Sequence, residues 1–417
     1  MRALRSCVAP RCWSSQPPIP RKRSRTALPR IPYLAPGLWR RGLLCLAITC
    51  SLACSNADRT SVSAVAVAPH DDTLLVGERV RLLATLRGPA DRPLAGRGRI
   101  TWSTSNSSVA RVSADGEVTA AGVGVASISA SAANRAGSAR ISVSYGGGVV
   151  RDVHYCSPNP LRTMNVHIPG AARPRPLPVA VYIHGGGWDS GDKDHTDWRF
   201  AHVRDSLLSR GYVVANLNYR LAPADKWPAQ IEDVKCAIRD LRANALIFGL
   251  DPSRVVAWGT SAGSHLAAML GTTGRDPQPT DTGEFAGFSS RVSAVVDIAG
   301  PTDLGRPGEL NFGGVQEILR TWPDSSSAEA AGASPVHQVS AQAPPFYIIH
   351  GDRDEVVKLD QAVRLYDRLG AMAVPRQMLV VLNATHGIAS AGEGILPDRP
   401  AIVSSIVAFF DRYTSRP

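Results

Sequence analysis

Three patterns of apolar and polar positions succeed one another along the chain. An apolar run, Gly42 to Cys54, follows the pair Arg40-Arg41. From 61 to 144, Val, Ala, Ser and Thr alternate in short stretches separated by glycines, among them Gly77, Gly88, Gly116, Gly124 and Gly137. Alternation with period two marks strands that bury one face. Strands are expected within 62–67, 79–84, 100–103, 110–112, 117–120, 126–130 and 139–143, with Asp115-Gly116 closing a hairpin. Such a series with Trp102 buried inside it suits an all-β sandwich. From 150 to 417 the pattern changes. Apolar runs at Val179–Ile183, Tyr212–Leu217, Arg254–Trp258, Phe346–His350 and Met378–Leu382 alternate with amphipathic stretches such as 198–209 and 229–245. In the latter, Ile231, Val234, Ile238 and Leu241 recur at helical spacing. This predicts a mostly parallel sheet flanked by helices. Between the two domains a linker over 145–149, rich in glycine, is expected to be a flexible joint.

Charge changes the picture once it is located. The 417 residues carry a formal net charge of +11. Ten of the 46 Lys and Arg lie in residues 1–54, which hold no acidic residue, leaving 36 basic against 35 acidic residues elsewhere. The body is nearly neutral, so charge gives no support to a nucleic-acid partner. No run of 18 apolar residues occurs, which excludes a multi-pass membrane protein. A basic patch, about a dozen apolar residues and small residues at the end are the build of a secretory signal. The end, Ser51-Leu52-Ala53-Cys54, resembles the lipobox of bacterial lipoproteins, with Ser51 where Leu is usual. Residues 1–54 are therefore expected to be a leader, with translation starting near Leu38 and 1–37 lying upstream of it. Cys54 is then the lipidation site, and the protein is exported to the periplasm, the cell surface or the medium. Five of the seven cysteines fall in this leader; Cys156 and Cys236 remain, as a disulfide or as two buried thiols.

The chemistry concentrates in the second domain. Gly259-Thr260-Ser261-Ala262-Gly263 is a G-x-S-x-G between an expected strand and an expected helix, the context in which a strained turn exposes a serine above a sheet. Upstream, His184-Gly185-Gly186-Gly187-Trp188 follows a strand directly. Its backbone N–H groups can approach an oxyanion closely, and Gly186, Gly187 and Ala262 are the candidate donors. No Gly-Lys-Ser/Thr follows, which removes a nucleotide loop. On such a sheet the order is serine, acid, histidine. The loop after Phe346–His350 offers Asp354, with Asp352 competing, and the loop after the last strand offers His386. His350 reads as structural and His184 as a brace for the glycine loop. His195 and His202, near Asp192 and Asp194, lack metal-ligand spacing, so neither metal nor cofactor is expected.

Residues 61–144 resemble the bacterial Ig-like domain of group 2, through Leu75-Val76-Gly77-Glu78, Ile100 to Asn106, Val109 to Val112, Gly116 to Ala120 and the strand 126–130. That resemblance implies a fold and not a chemistry: a spacer, or a module contacting glycans or a cell surface. Residues 150–417 resemble the α/β-hydrolase superfamily, within it the esterases related to bacterial feruloyl esterases and neighbouring the hormone-sensitive-lipase-like carboxylesterases. The carriers are His184–Trp188 with Gly191-Asp192-Lys193, Asn218–Pro223, Ile231–Val234, Asp251–Val255, Gly259–Leu266, Gly300–Leu304 and His350–Asp354. The resemblance implies Ser261 as nucleophile, Asp354 as acid and His386 as base, in an exported serine esterase acting on short acyl, acetylated-carbohydrate or feruloyl esters. Ser264 departs from the family's usual Gly and is expected to alter packing only. A peptidase or amidase, or an adhesion or glycan-binding protein with a silent hydrolase domain, are the competing readings. The segment 304–333 is expected to shape the acyl pocket, with Trp188, Trp227 and Trp322 as lining or core.

Overall fold

The computed structural model describes residues 61–94, 98–156, 159–170, 175–194, 197–274, 283–311, 313–320 and 326–415. The expected leader over 1–54 with Cys54, and also His195 and Trp322, lie outside the described residues. Among those described, no helix is long and apolar enough to cross a membrane.

Residues 64–144 form the expected sandwich. Ala64–Ala68 pairs with Leu83–Arg87; a four-stranded sheet runs Asp71–Leu75, Arg135–Ser144, Gly124–Ala132, Thr101–Thr104; a three-stranded one runs Arg79–Arg81, Glu117–Ala120, Ala110–Val112. Val65, Val67, Leu74, Leu86, Val118, Ile128, Ile141 and Val143 meet in one core, each from the inward side of its strand. The single strand expected over 79–84 is in fact two. Leu82 is buried and its N–H donates to the Gly116 carbonyl (2.9 Å), so the segments on either side of it join different sheets. Trp102 is only half-buried and covers an edge of the core instead of filling it.

The second domain is built on eight strands: β1 (Gly148–His154), β2 (Thr163–Ile168), β3 (Leu177–Ile183), β4 (Val213–Leu217), β5 (Leu250–Thr260), β6 (Val295–Ile298), β7 (Phe346–Gly351) and β8 (Arg376–Val381). Their spatial order is β1-β2-β4-β3-β5-β6-β7-β8. The β1–β2 and β2–β4 pairs are antiparallel and every other pair is parallel. The central parallel strands are apolar on both faces because helices cover both. Val179, Val181 and Ile183 of β3 face the core shared with α2 (Ala229–Ala243) and α4 (Ala262–Thr273), whereas Ala180 and Tyr182 face the core shared with α1 (Trp198–Ser209) and α5 (Arg399–Thr414). Helix α1 starts at Trp198 because the Asp197 carboxylate accepts the N–H groups of Arg199 (2.8 Å) and Phe200 (3.2 Å).

The joint between the domains differs from the expectation of a flexible linker over 145–149. Strand β1 already begins at Gly148. Tyr145 donates its N–H to Ile247 O (3.2 Å), and its ring stacks on Phe248, with centroids 6.4 Å apart, in the short helix α3 (Ala245–Phe248). A backbone hydrogen bond and an aromatic stack thus tie the end of the sandwich to α3. Cys156, just past β1, is joined by a disulfide to Cys236 on α2, 80 residues away, with Cα atoms 6.2 Å apart. Closing a loop of that length stabilises the fold by up to about 4 kcal/mol through the entropy of the unfolded chain. The double substitution Cys156→Ser, Cys236→Ser is expected to lower Tm by several degrees in calorimetry, and reductant is expected to lower the native protein's Tm by a similar amount.

Candidate active site

The four parallel strands at the centre deliver their C-terminal ends to one place, where ligand-facing loops of open α/β sheets lie. At the end of β5, Ser261 holds φ 53° and ψ −120°, a conformation that costs a non-glycine residue free energy. Neighbouring glycines make the turn possible. A Cβ at Gly259 would collide with the Gly263 carbonyl, and one at Gly263 with the Ile183 carbonyl of β3. Further restraints hold the turn: Ser261 N–H donates to Ile298 O (2.9 Å) at the end of β6, and Ser264 reaches back to the strands. The buried Ser264 hydroxyl donates to Gly259 O (2.6 Å) and accepts Ile298 N–H (2.6 Å). Ser264 therefore laces β5 to β6 immediately beneath the turn, a larger role than the altered packing expected of it.

The Ser261 hydroxyl donates to His386 Nε2 (3.0 Å), and His386 Nδ1–H donates to Asp354 Oδ2 (2.8 Å). Ser261, His386 and Asp354 are thus brought together across 125 residues of chain. Asp354 Oδ1 accepts the N–H groups of Val356 and Val357, each at 2.9 Å. Burial pushes the Asp354 carboxyl up, but hydrogen bonds from His350, His386 and Val357 N–H outweigh it and hold the group well below the usual carboxylate range. Asp354 is therefore ionised wherever a histidine titrates. The competing acid, Asp352, is turned away: its Oδ1 accepts Ala384 N–H (3.1 Å) and so fixes the start of the loop that carries His386.

After β3 the glycine loop turns over the serine. Gly186 and Gly187 have φ of 109° and 58°, and the Gly186 carbonyl accepts Asp189 N–H (3.1 Å), Ser190 N–H (3.0 Å) and the Ser190 hydroxyl (2.9 Å). These bonds within the loop hold the turn, and Gly185, Gly186 and Gly187 all line the cavity. His184 stacks on Tyr219 (4.4 Å between centroids) and its Nδ1–H donates to Gly185 O (2.7 Å), while Tyr219 OH donates to His184 O (3.0 Å). Ala262 opens α4 directly after Ser261, so its N–H is among the unpaired donors of a helix N-terminus. The cavity is about 790 Å³, and Gly185–Gly187, Ser261 and His386 line it.

Comparison with known proteins agrees with this frame. Residues 164–369 match the family model described as BD-FAE, and residues 61–143 match the bacterial Ig-like domain (group 2). The domain built on β1–β8 has the α/β-hydrolase fold, and most of it lies within the stretch that matches BD-FAE. Among its relatives, esterase LipC of Mycobacterium tuberculosis is 36% identical over 205 residues, 48% of this chain and 50% of that protein. The carboxylic ester hydrolase LipM of the same organism, named as probable, is 33% identical over 200 residues, 46% and 44% respectively. The chain spans about half the length of these curated relatives. Among solved structures, a truncated carbohydrate esterase from gut microbiota superposes with a TM-score of 0.56 at 24% identity, over 64% of this chain and 96% of that one. At that identity it bears on the fold alone. Apo Thermogutta terrifontis esterase 2 gives 0.52 at 25% identity, over 65% and 97%.

In this domain the tryptophans read as substrate contacts are core. Trp188 is fully buried, and its Nε1–H donates to His265 Nδ1 (3.1 Å); His265 Nε2–H in turn donates to Ala333 O (2.6 Å). Burial pulls the His265 imidazole down to about 4, so it is neutral and this tautomer is the one used. Trp227 packs on the same imidazole, 5.6 Å between centroids. Neither indole lines the cavity, because both sit below the serine turn against α4. His202 of α1 lies by Trp198, and no group of three His, Cys, Asp or Glu among the described residues is arranged to hold a metal. The missed lining residues are Asp189, Ser190, Asp197, Arg199, Glu317 and Val356, with Gly313 and Gly314 from the segment 304–333. They come from four separate stretches of chain and meet through tertiary structure.

Removing the Ser264 hydroxyl leaves a buried N–H and a buried carbonyl unpaired, at about 1–3 kcal/mol. Ser264→Ala is expected to lower Tm measurably in thermal denaturation, and an unchanged Tm would show that the lacing contributes nothing.

Proposed function

We propose that the protein is an exported serine ester hydrolase acting on small acyl groups carried by polar alcohols, with acylated carbohydrate as the substrate class. Ser261 attacks the ester carbonyl while His386 takes its proton, then returns it to the leaving alcohol. Water, activated by the same imidazole, releases the acyl group from Ser261. Asp354 keeps His386 in the required tautomer and balances the imidazolium. The N–H groups of Gly186, Gly187 and Ala262 receive the charge that develops on the carbonyl oxygen. The observation that carries this reading is the unbroken hydrogen-bond chain from Ser261 through His386 to Asp354 at the floor of a cavity.

The substrate class is supported by the character of the walls. Asp189, Ser190, Asp197, Arg199 and Glu317 offer carboxylates, a hydroxyl and a guanidinium, whereas Val356 is the one large apolar side chain among the lining residues described. Such a surface suits hydroxyl-rich alcohols and gives little to a long acyl chain or an aromatic acid. The name of LipC, an esterase, supports the ester-hydrolase part of this reading. Export is supported by the leader pattern ending at Cys54 and by the Cys156–Cys236 disulfide, which suits an oxidising compartment. A diacylglycerol-modified Cys54, sought by mass spectrometry of the membrane fraction, tests the anchor.

Ser261→Ala is expected to remove about 10⁶-fold of kcat on p-nitrophenyl acetate, and Asp354→Asn about 10⁴-fold, since the latter keeps the serine and the oxyanion donors. Undiminished turnover by Ser261→Ala would falsify the mechanism, as would failure of a fluorophosphonate to label Ser261. Because Asp354 stays ionised, the acid side of the kcat/KM profile reports one imidazole, and activity is expected to fall on a single limb at mildly acidic pH. A flat profile from pH 5 to 8 argues against a histidine base. Glu317→Ala is expected to raise KM for an acetylated xylo-oligosaccharide several-fold more than KM for p-nitrophenyl acetate. Equal effects on both would remove the carbohydrate assignment and leave the esterase one standing.

A further inference from the structure

The acid of the Ser261–His386–Asp354 chain carries a second imidazole. His350, at the end of β7, has no exposure to solvent. Its Nε2–H faces two acceptors at once, Val357 O at 2.8 Å and Asp354 Oδ2 at 3.3 Å. Asp354 Oδ1 is already committed to the N–H groups of Val356 and Val357. Oδ2 is therefore the oxygen that serves His386, and it is the same oxygen that His350 addresses.

We propose that His350 is a positioning residue for the ester hydrolysis proposed above, one that fixes Asp354 Oδ2 toward His386 and draws off part of that oxygen's charge. The chain of contacts is then Ser261, His386, Asp354, His350. This rests on the serine-hydrolase reading.

A strand end that needed only a cap for the Val357 carbonyl would not require so costly a group. His350 Nδ1 is buried and makes no hydrogen bond among the described residues. The same holds for Oδ2 of Asp297 on the neighbouring strand β6. In the β6–β7 register Asp297 stands opposite Ile348, so Asp297 and His350 project from the same face of the sheet. Burial pushes the Asp297 carboxyl up to about 6. Two buried polar groups with unspent hydrogen-bonding capacity, on adjacent strands behind the acid, mark a polar network kept at the expense of apolar packing.

The sign of the effect follows from the contacts. A donor on Asp354 Oδ2 weakens that oxygen as an acceptor for His386. Removing His350 therefore lets His386 hold its proton more tightly, and the acid limb of kcat/KM moves to higher pH. The charged and titratable groups around His386 are Asp354, the Ser261 hydroxyl, Arg199, whose guanidinium lies against Gly387 and is paired with Asp197 (3.0 Å), and Glu317 across the cavity.

The test compares His350→Phe, His350→Asn and His350→Gln in the full chain, on p-nitrophenyl acetate, with Ser261→Ala as control. Gln can place an N–H near the original Nε2; Phe and Asn cannot. Expected are a drop in kcat of about tenfold or more for Phe and Asn with KM little changed, an acid limb displaced upward by half a pH unit or more, and restoration of both by Gln. A purely structural residue would lower Tm without moving the limb. Unmoved limbs in the Phe and Asn variants, a Gln variant no better than Phe, or failure of all three to fold would each overturn the proposal. Full activity of Ser261→Ala would instead overturn the hydrolase reading on which it rests.

Discussion

The site depends on one residue held in a conformation it would not choose. With φ 53° and ψ −120°, Ser261 turns the chain from β5 into α4 so sharply that its hydroxyl stands clear of the sheet. The cost of that turn is offset by hydrogen bonds immediately around it. Ile298 at the end of β6 accepts from Ser261 N–H and donates to Ser264, which also ties down Gly259. Gly259 and Gly263 have no side chains because β5, α4 and β3 occupy the space a Cβ would need. The strained turn is thus a property of three packed elements and not of five residues.

Polar groups are assembled around that turn in layers. Closest are the imidazole of His386 and the glycine loop after β3. Behind them stand the groups that hold these two in place: Asp354 and His350 for the imidazole, Tyr219 and Ser190 for the loop. Further out, Asp189, Asp197, Arg199 and Glu317 stand among the residues that line the cavity. An interior this polar is stable only because its donors and acceptors meet one another, and the apolar faces of the central strands supply the burial that makes each contact strong.

The Ig-like domain meets the hydrolase at the far end of the same sheet. Tyr145 packs on α3, which runs into the start of β5, and Gly249 accepts the N–H of Leu177 at the start of β3. The serine turn sits where β5 ends. All described lining residues of the cavity come from the hydrolase domain, so the first domain holds the second without shaping its site.

Much of this was legible along the chain. Period-two and helical spacing located the central strands, and α1 over 198–209 runs as its pattern indicates because Asp197 caps it. Gly259–Gly263, the glycine loop, Asp354 and His386 were readable because each must follow a strand in a fixed order. What the sequence left open was decided by contacts between distant segments. Asp352 and Asp354 differ by two positions, and only the loop's packing on Ala384 turns one away and the other toward His386. Trp188 and Trp227 look alike in sequence to pocket-lining aromatics, yet the space beneath α4 takes both. Leu82 breaks an apparently continuous strand because the sandwich core needs its side chain there. Local pattern fixes which face of an element is apolar; which atoms that face meets is settled only when the elements pack.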